Sequence, residues 1–251
     1  MSHLKAMETI QHGMEQALTQ RLSSSFGDNL DSVTLYGSYV RGTFQKGVSD
    51  INALILLNQP AGAQIQRFGS DARRFLRSER ITPLILTKTE FLSSADVFPL
   101  EYADIRQTHR TIFGEDPTEA LNLQDRNLRH QLEHQLRGNL VSLRQMVLAA
   151  RGRKRVVRAQ LLDWFGPLAA VFRGLVRLAG EETIPGEPRE LIDAVNRLYD
   201  LEPGPFRKLL ELRDNRSLDP VALSWELDQR LSDLSQHVDS LRNTLESGGD
   251  G

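Results

Sequence analysis

One stretch, Val33 to Leu57, constrains this chain more than any other: VTLYGSYVRGTFQKGVSDINALILL. A short apolar run stops at Gly37-Ser38, which reads as a strand entering a tight turn. A short helical segment carrying Arg41 follows. Asp50 to Leu57 is then almost continuously apolar and ends at Asn58-Gln59-Pro60, which predicts a strand buried on both faces. Alternation along that strand puts Asp50 and Asn52 on one face and Ile51 on the other. Two acids at these positions would make a divalent-metal clamp beside a turn whose free N–H groups suit a phosphate. Only one of the two is an acid.

The rest of the chain falls into two characters. Leu4, Met7, Ile10, Met14, Leu18 and Leu22 recur every three or four residues and predict an amphipathic helix ending near Phe26-Gly27-Asp28. Gln64 to Arg80 is helical in pattern, with Gly69-Ser70 weakening its middle. Ile81 to Leu86 predicts a third strand, placed at an edge or bulge by Pro83. Thr87 and Glu90 have the spacing of a capping box. Pro99 to Ile105, PLEYADI, predicts a further strand, and Phe113 to Pro117, FGEDP, a domain boundary. Beyond it the chain is helical. Leu128, Leu132, Leu136, Leu140, Leu143 and Val147 form one stripe. Val156–Leu178 (with a kink expected at Gly166-Pro167), Pro188–Tyr199, Pro205–Arg213 and Pro220–Leu245 complete a bundle. The expected fold class is therefore α/β (α+β), a mixed sheet in residues 1–117 followed by an all-helical bundle in 118–251.

Composition removes several function classes. The chain has no cysteine, so thiol nucleophiles and zinc–thiolate sites are excluded. A net charge of −2 gives no global attraction to nucleic acid or to a membrane surface. No segment approaches the roughly 20 apolar residues of a membrane span, and no apolar leader opens the chain, so a cytoplasmic location is expected. The tail Ser247–Gly251 is small and polar and is expected to be disordered.

Gly37-Ser38, Arg41-Gly42 and Ser49-Asp50-Ile51-Asn52 together resemble the signature of the DNA polymerase β-like nucleotidyltransferase superfamily. Its bacterial members run G-S-x-x-x-G, a spacer, then S-D-hydrophobic-D on the next strand. The layout, a small α/β domain and then a helical domain, is similar to kanamycin-type and other small-substrate nucleotidyltransferases. A bacterial subgroup that reads S-D-hydrophobic-N also carries a later segment like FPLEYADI…GEDP. The resemblance implies a nucleoside triphosphate held by Gly37, Ser38, Arg41 and Ser49, with Mg2+ at Asp50 and an acceptor that is a small molecule or a protein.

Two departures limit what the resemblance implies. Asn52 stands at the second carboxylate position, and Ile81-Thr82-Pro83-Leu84 offers no acid where the superfamily has its third. A lost general base is worth about 10²–10⁴-fold in rate, and a lost metal several kcal/mol more. The expectation is a degenerate nucleotidyltransferase with residual nucleotide and weak magnesium binding, or a regulatory role. The alternative is an active enzyme that uses Glu101 or Asp104 as a substitute acid. On a strand these two would face opposite ways, so at most one would serve. A further alternative is an RNA-binding or toxin–antitoxin-type module built on Arg151, Arg153, Lys154, Arg155 and Arg158. That cluster reads more simply as a solvated interhelical turn, and no aromatic residue interleaves it. His130 and His134, in HQLEH, lie off the leucine stripe and read as solvated. His109 reads as a surface histidine, and Trp164 and Phe165 as core.

Overall fold

The computed structural model describes residues 2–42, 49–181 and 183–246, with side chains described for 12–42, 49–181 and 183–240. The tail Ser247–Gly251 and the side chains of Leu4, Met7 and Ile10 lie outside that description. The chain divides into two compact units, Met1–Val97 with Glu101–Asn122, and Phe98–Leu100 with Leu123–Gly251.

In the first unit, helix α1 (Ser2–Phe26) precedes strand β1 (Leu30–Tyr36), the single-turn helix α2 (Ser38–Arg41) and strand β2 (Ile51–Leu57). Helices α3 (Gly62–Asp71) and α4 (Arg73–Ser78) lead to β3 (Ile81–Thr87). Helices α5 (Lys88–Ser93) and α6 (Pro99–Gln107) then lead to β4 (His109–Phe113). The sheet order is β3-β2-β1-β4. Strands β1 and β2 are antiparallel, as are β1 and β4, whereas β2 and β3 are parallel. A parallel pair needs a helical crossover, and α3–α4 supply it. Pro83 sits on the edge strand β3, where a missing N–H leaves no ladder bond unmade.

Ala53, Ile55 and Leu57 point to one face of β2 and bury against Leu18, Leu22 and Phe26 of α1 and Phe68 of α3. Leu54 and Leu56 point the other way and are equally buried. Strand β2 is thus covered on both faces, as its unbroken apolar run requires. The capping box forms as its spacing predicts: Glu90 N–H donates to the Thr87 hydroxyl at 3.1 Å, and Thr87 N–H to the Glu90 carboxylate at 2.7 Å.

The strand expected at Pro99–Ile105 is not there. That stretch is helix α6, and the fourth strand is His109–Phe113. Leu100, Tyr102, Ala103 and Ile105 are all buried. Their pairs at spacing three, Leu100–Ala103 and Tyr102–Ile105, satisfy a helix, and Pro99 sits at its start, where a missing N–H costs nothing. The helical region at 64–80 is also two helices rather than one, broken at Ala72.

The second unit is a helical bundle of α7 (Asp125–Ala150), α8 (Lys154–Leu178), α9 (Pro188–Leu198), α10 (Gly204–Glu211) and α11 (Pro220–Glu246). Leu128, Leu132, Leu136 and Leu143 bury as one stripe of α7. Phe172 of α8 meets Phe206 of α10 edge-on, with ring centroids 4.9 Å apart. Helix α8 continues through Pro167, giving up one N–H bond.

Candidate functional site

The Gly37-Ser38 turn is built by its backbone. Gly37 has φ 80 and ψ −148, a region essentially confined to glycine. Its carbonyl accepts from the N–H groups of Val40 and Arg41 at 3.2 and 3.0 Å, closing the single turn of α2. Strand register then sets Asn52 opposite Tyr36. A methyl group added to Gly37 would stand 3.0 Å from Asn52 Nδ2, so the carboxamide lies against the glycine backbone. The position two residues after Asp50 is thus occupied by a neutral group packed on the turn.

Asp50 is also spoken for. Its Oδ1 accepts from Arg80 Nη2 at 2.8 Å, and Arg80 Nε donates to the Ser49 carbonyl at 3.3 Å. The backbone holds the two residues side by side, because Ile51 N–H donates to the Arg80 carbonyl at 2.8 Å and Ile51 is in register with Ile81.

Residues 16–116 match the nucleotidyltransferase domain family. The first unit is a nucleotidyltransferase domain of the DNA polymerase β-like superfamily. Comparison with curated proteins found no match. Among solved structures the chain is similar to the spectinomycin adenyltransferase AAD(9) from Enterococcus faecialis, crystallised with ATP and spectinomycin. The likeness has 15% identity and a TM-score of 0.52, over 88% of this chain and 99% of that one. It is a likeness of fold. A mutant of the toxin–antitoxin pair MntA–HpeT matches over 41% of this chain and 74% of that one, at 17% identity and a TM-score of 0.31.

The donor set of this nucleotidyltransferase domain does not make a two-metal clamp. Asp50 is the single carboxylate of the motif and is paired with a guanidinium. Asn52 brings no charge, and its register neighbour on β3 is Thr82. Among the described residues no group of three or more His, Asp and Glu is placed to hold a metal ion.

Helix α6 changes where the two substitute acids lie. At spacing three on a helix, Glu101 and Asp104 share a side instead of facing opposite ways. Asp104 Oδ2 lies 3.9 Å from Arg41 Nη2, with the two side chains 16% and 17% exposed. Glu101 acts on the phenol of Tyr36, the residue before the turn. Burial first, then the neighbouring Tyr102 and the Glu101 charge, push the Tyr36 pKa up. Asp104 and Arg41 are therefore brought together beside α2, whereas Asp50 is brought to Arg80.

Arg80 has no sequence signal of its own, because it becomes a neighbour of Asp50 only through the parallel register of β2 and β3. A second unforeseen group is Glu15 of α1, with its side chain 9% exposed. It accepts from the Tyr39 hydroxyl of α2 at 3.1 Å and from Arg110 of β4. A groove of about 550 Å³ beside it is lined by His12, Glu15, Gln16, Arg110 and Thr111 among others.

His109 lies within β4, with Nδ1 3.1 Å from the Arg106 carbonyl and Nε2 2.8 Å from Asp116 Oδ2. His130 and His134 are exposed on α7. Arg158 donates to the carbonyls of Leu212, Asn215 and Leu218, and Lys154 pairs with Asp219 at 2.6 Å. Trp164 and Phe165 pack on the helical core. Among the described residues no helix is long and apolar enough to cross a membrane.

Proposed function

We propose that the nucleotidyltransferase domain is catalytically degenerate and retains nucleotide binding. The carrying observation is the Asp50–Arg80 ion pair beside a neutral Asn52. Transfer of a nucleotidyl group needs concentrated positive charge on the triphosphate and a group that activates the attacking hydroxyl. Asp50 alone, already neutralised, organises neither. Gly37, Ser38, Arg41 and Ser49 are the residues assigned to the nucleotide, and a regulatory role follows from binding without turnover.

The test is incubation with a panel of radiolabelled nucleoside triphosphates, Mg2+ or Mn2+, and cell extract. No acceptor becomes labelled on this reading. Labelling that disappears in Asp50→Ala overturns it. The position of Asp104 beside Arg41 favours one second reading, an active transferase on a small molecule or a protein with a relocated acid. In that case labelling appears in the same assay and is lost in Asp104→Ala.

A further inference from the structure

We infer that nucleotide binding by this domain is independent of divalent metal, with the Arg80 guanidinium supplying the positive charge. The inference rests on the nucleotide-binding reading above and goes beyond it in naming the cation. Arg80 Nη2 lies 2.8 Å from Asp50 Oδ1, so a cation already sits against the one carboxylate of the Ser49–Asn52 stretch. A divalent ion at Asp50 would have to displace that guanidinium or stand beside it with like charge. Asn52 contributes no charge to offset the repulsion.

A guanidinium is suited to the role. It is planar and permanently charged, and it engages phosphate oxygens through paired N–H donors. The ion pair is also open to exchange, since the Asp50 and Arg80 side chains are 52% and 43% exposed. A triphosphate competes with Asp50 for Arg80, and an exposed pair gives up little on being opened. Asp50 is then an internal competitor of the ligand and not its metal anchor. This reverses the sign of the effect that removing its charge should have.

The experiment is calorimetric titration of the full chain with ATP, once in EDTA and once in excess Mg2+. It is repeated on Asp50→Asn and Arg80→Gly. Arg80 has φ 55, so glycine removes the guanidinium without adding backbone strain. Thermal unfolding of each variant checks that it is folded. The expected result is affinity in EDTA equal to or tighter than in Mg2+. Asp50→Asn gains roughly two- to fivefold, as release of an exposed ion pair allows. Arg80→Gly loses roughly tenfold or more, as loss of charged hydrogen bonds to phosphate requires. Binding that appears only with Mg2+ and vanishes in Asp50→Asn overturns the inference and leaves the nucleotide-binding reading standing. No binding under either condition sinks that reading and the inference with it.

Discussion

The Tyr39 hydroxyl donates to the Glu15 carboxylate at 3.1 Å, tying the turn helix α2 to α1 across a buried contact. Arg110 of β4 donates to the same carboxylate oxygen. Three elements separated in sequence therefore converge on one acid. Burial first, and then the Glu15 charge, raise the Tyr39 pKa well beyond the ordinary phenol value, so the hydroxyl stays a donor. Replacing Glu15 by Ala removes the carboxylate that both the phenol and the guanidinium donate to. The expected cost is about 1–3 kcal/mol, read as a lower urea midpoint. Tyr39→Phe removes one bond and is expected to cost about 1 kcal/mol. Equal midpoints in all three proteins would show that the contact is not formed in solution.

Gly37→Ala should be among the costly single substitutions in the nucleotidyltransferase domain. The added methyl meets Asn52 Nδ2 at 3.0 Å, and the backbone sits at φ 80. Strain of this kind costs about 1–3 kcal/mol. The two causes separate in a double variant. Shortening the neighbour by Asn52→Ser relieves the clash but not the strain, so Gly37→Ala with Asn52→Ser recovers only part of the loss in a thermal melt. Full recovery would mean that the backbone conformation is not demanding.

Local chemistry was legible in the sequence, and chemistry that depends on register was not. Thr87 and Glu90 are three residues apart, and their capping box needs nothing from elsewhere. The Gly37-Ser38 turn and the β2 run likewise follow from neighbouring residues. Pro99–Ile105 misled because so short a segment holds apolar pairs at spacing two, Leu100–Tyr102 and Ala103–Ile105, as well as at spacing three. The burial of the Leu100–Ala103 and Tyr102–Ile105 pairs decided for a helix, and it carried Glu101 and Asp104 onto one side. Arg80 and Asp50 are thirty residues apart and meet only because β2 and β3 run parallel in one register. Glu15 and Arg110 are farther apart still, so no pattern of spacing points to their contact.

Asp116 gives the first unit an acid-sensitive joint. Its carboxylate accepts from the Thr118 N–H at 2.8 Å and meets the His109 ring. Burial works to raise its pKa, but the bonds from His109 and Thr118 outweigh burial and hold it below the ordinary carboxylate value. A folded-state pKa below the unfolded one stabilises fully above the unfolded value, about 4. That contribution is lost as the pH falls through the folded value. The contribution of the Asp116 carboxylate, read as the stability of the native chain over Asp116→Asn, should therefore be fully present above that unfolded value. It should shrink as the pH drops below about 4. Urea midpoints above and below that value check this, and a difference that does not change with pH would contradict it.

Arg158 and Arg155 belong to one basic cluster but should behave differently. Arg158 donates to the Asn215 and Leu218 carbonyls at 3.1 and 2.6 Å, closing the loop before α11. Arg155 is exposed. Arg158→Ala leaves several carbonyls without a donor and is expected to cost about 2–3 kcal/mol. Arg155→Ala should stay within about 0.5 kcal/mol of the native chain. Guanidinium unfolding of the two variants decides. If both are neutral and RNA binding is lost with both, the cluster is a ligand surface and not a loop clamp.

Asn52→Asp places a second acid two residues after Asp50, and the consequences can be separated. On the strand it faces the same way as Asp50, so a pair of carboxylates results. Arg80 still neutralises one of them, which should hold the single variant's affinity for metal low. Adding Arg80→Gly removes that cation, and the double variant should then bind Mn2+ with a clear calorimetric signal that the native chain lacks. On the proposed degenerate reading, nucleotidyl transfer should not appear in the double variant. Thr82, the β3 neighbour of position 52, cannot take a proton from an attacking hydroxyl as a carboxylate can. Mn2+ binding by the native chain as strong as by the double variant would remove the ground for treating Arg80 as the resident cation. Transfer activity in the double variant would show instead that a residue such as Asp104 takes the proton from the attacking hydroxyl. The Asp104→Ala variant in that background then identifies it.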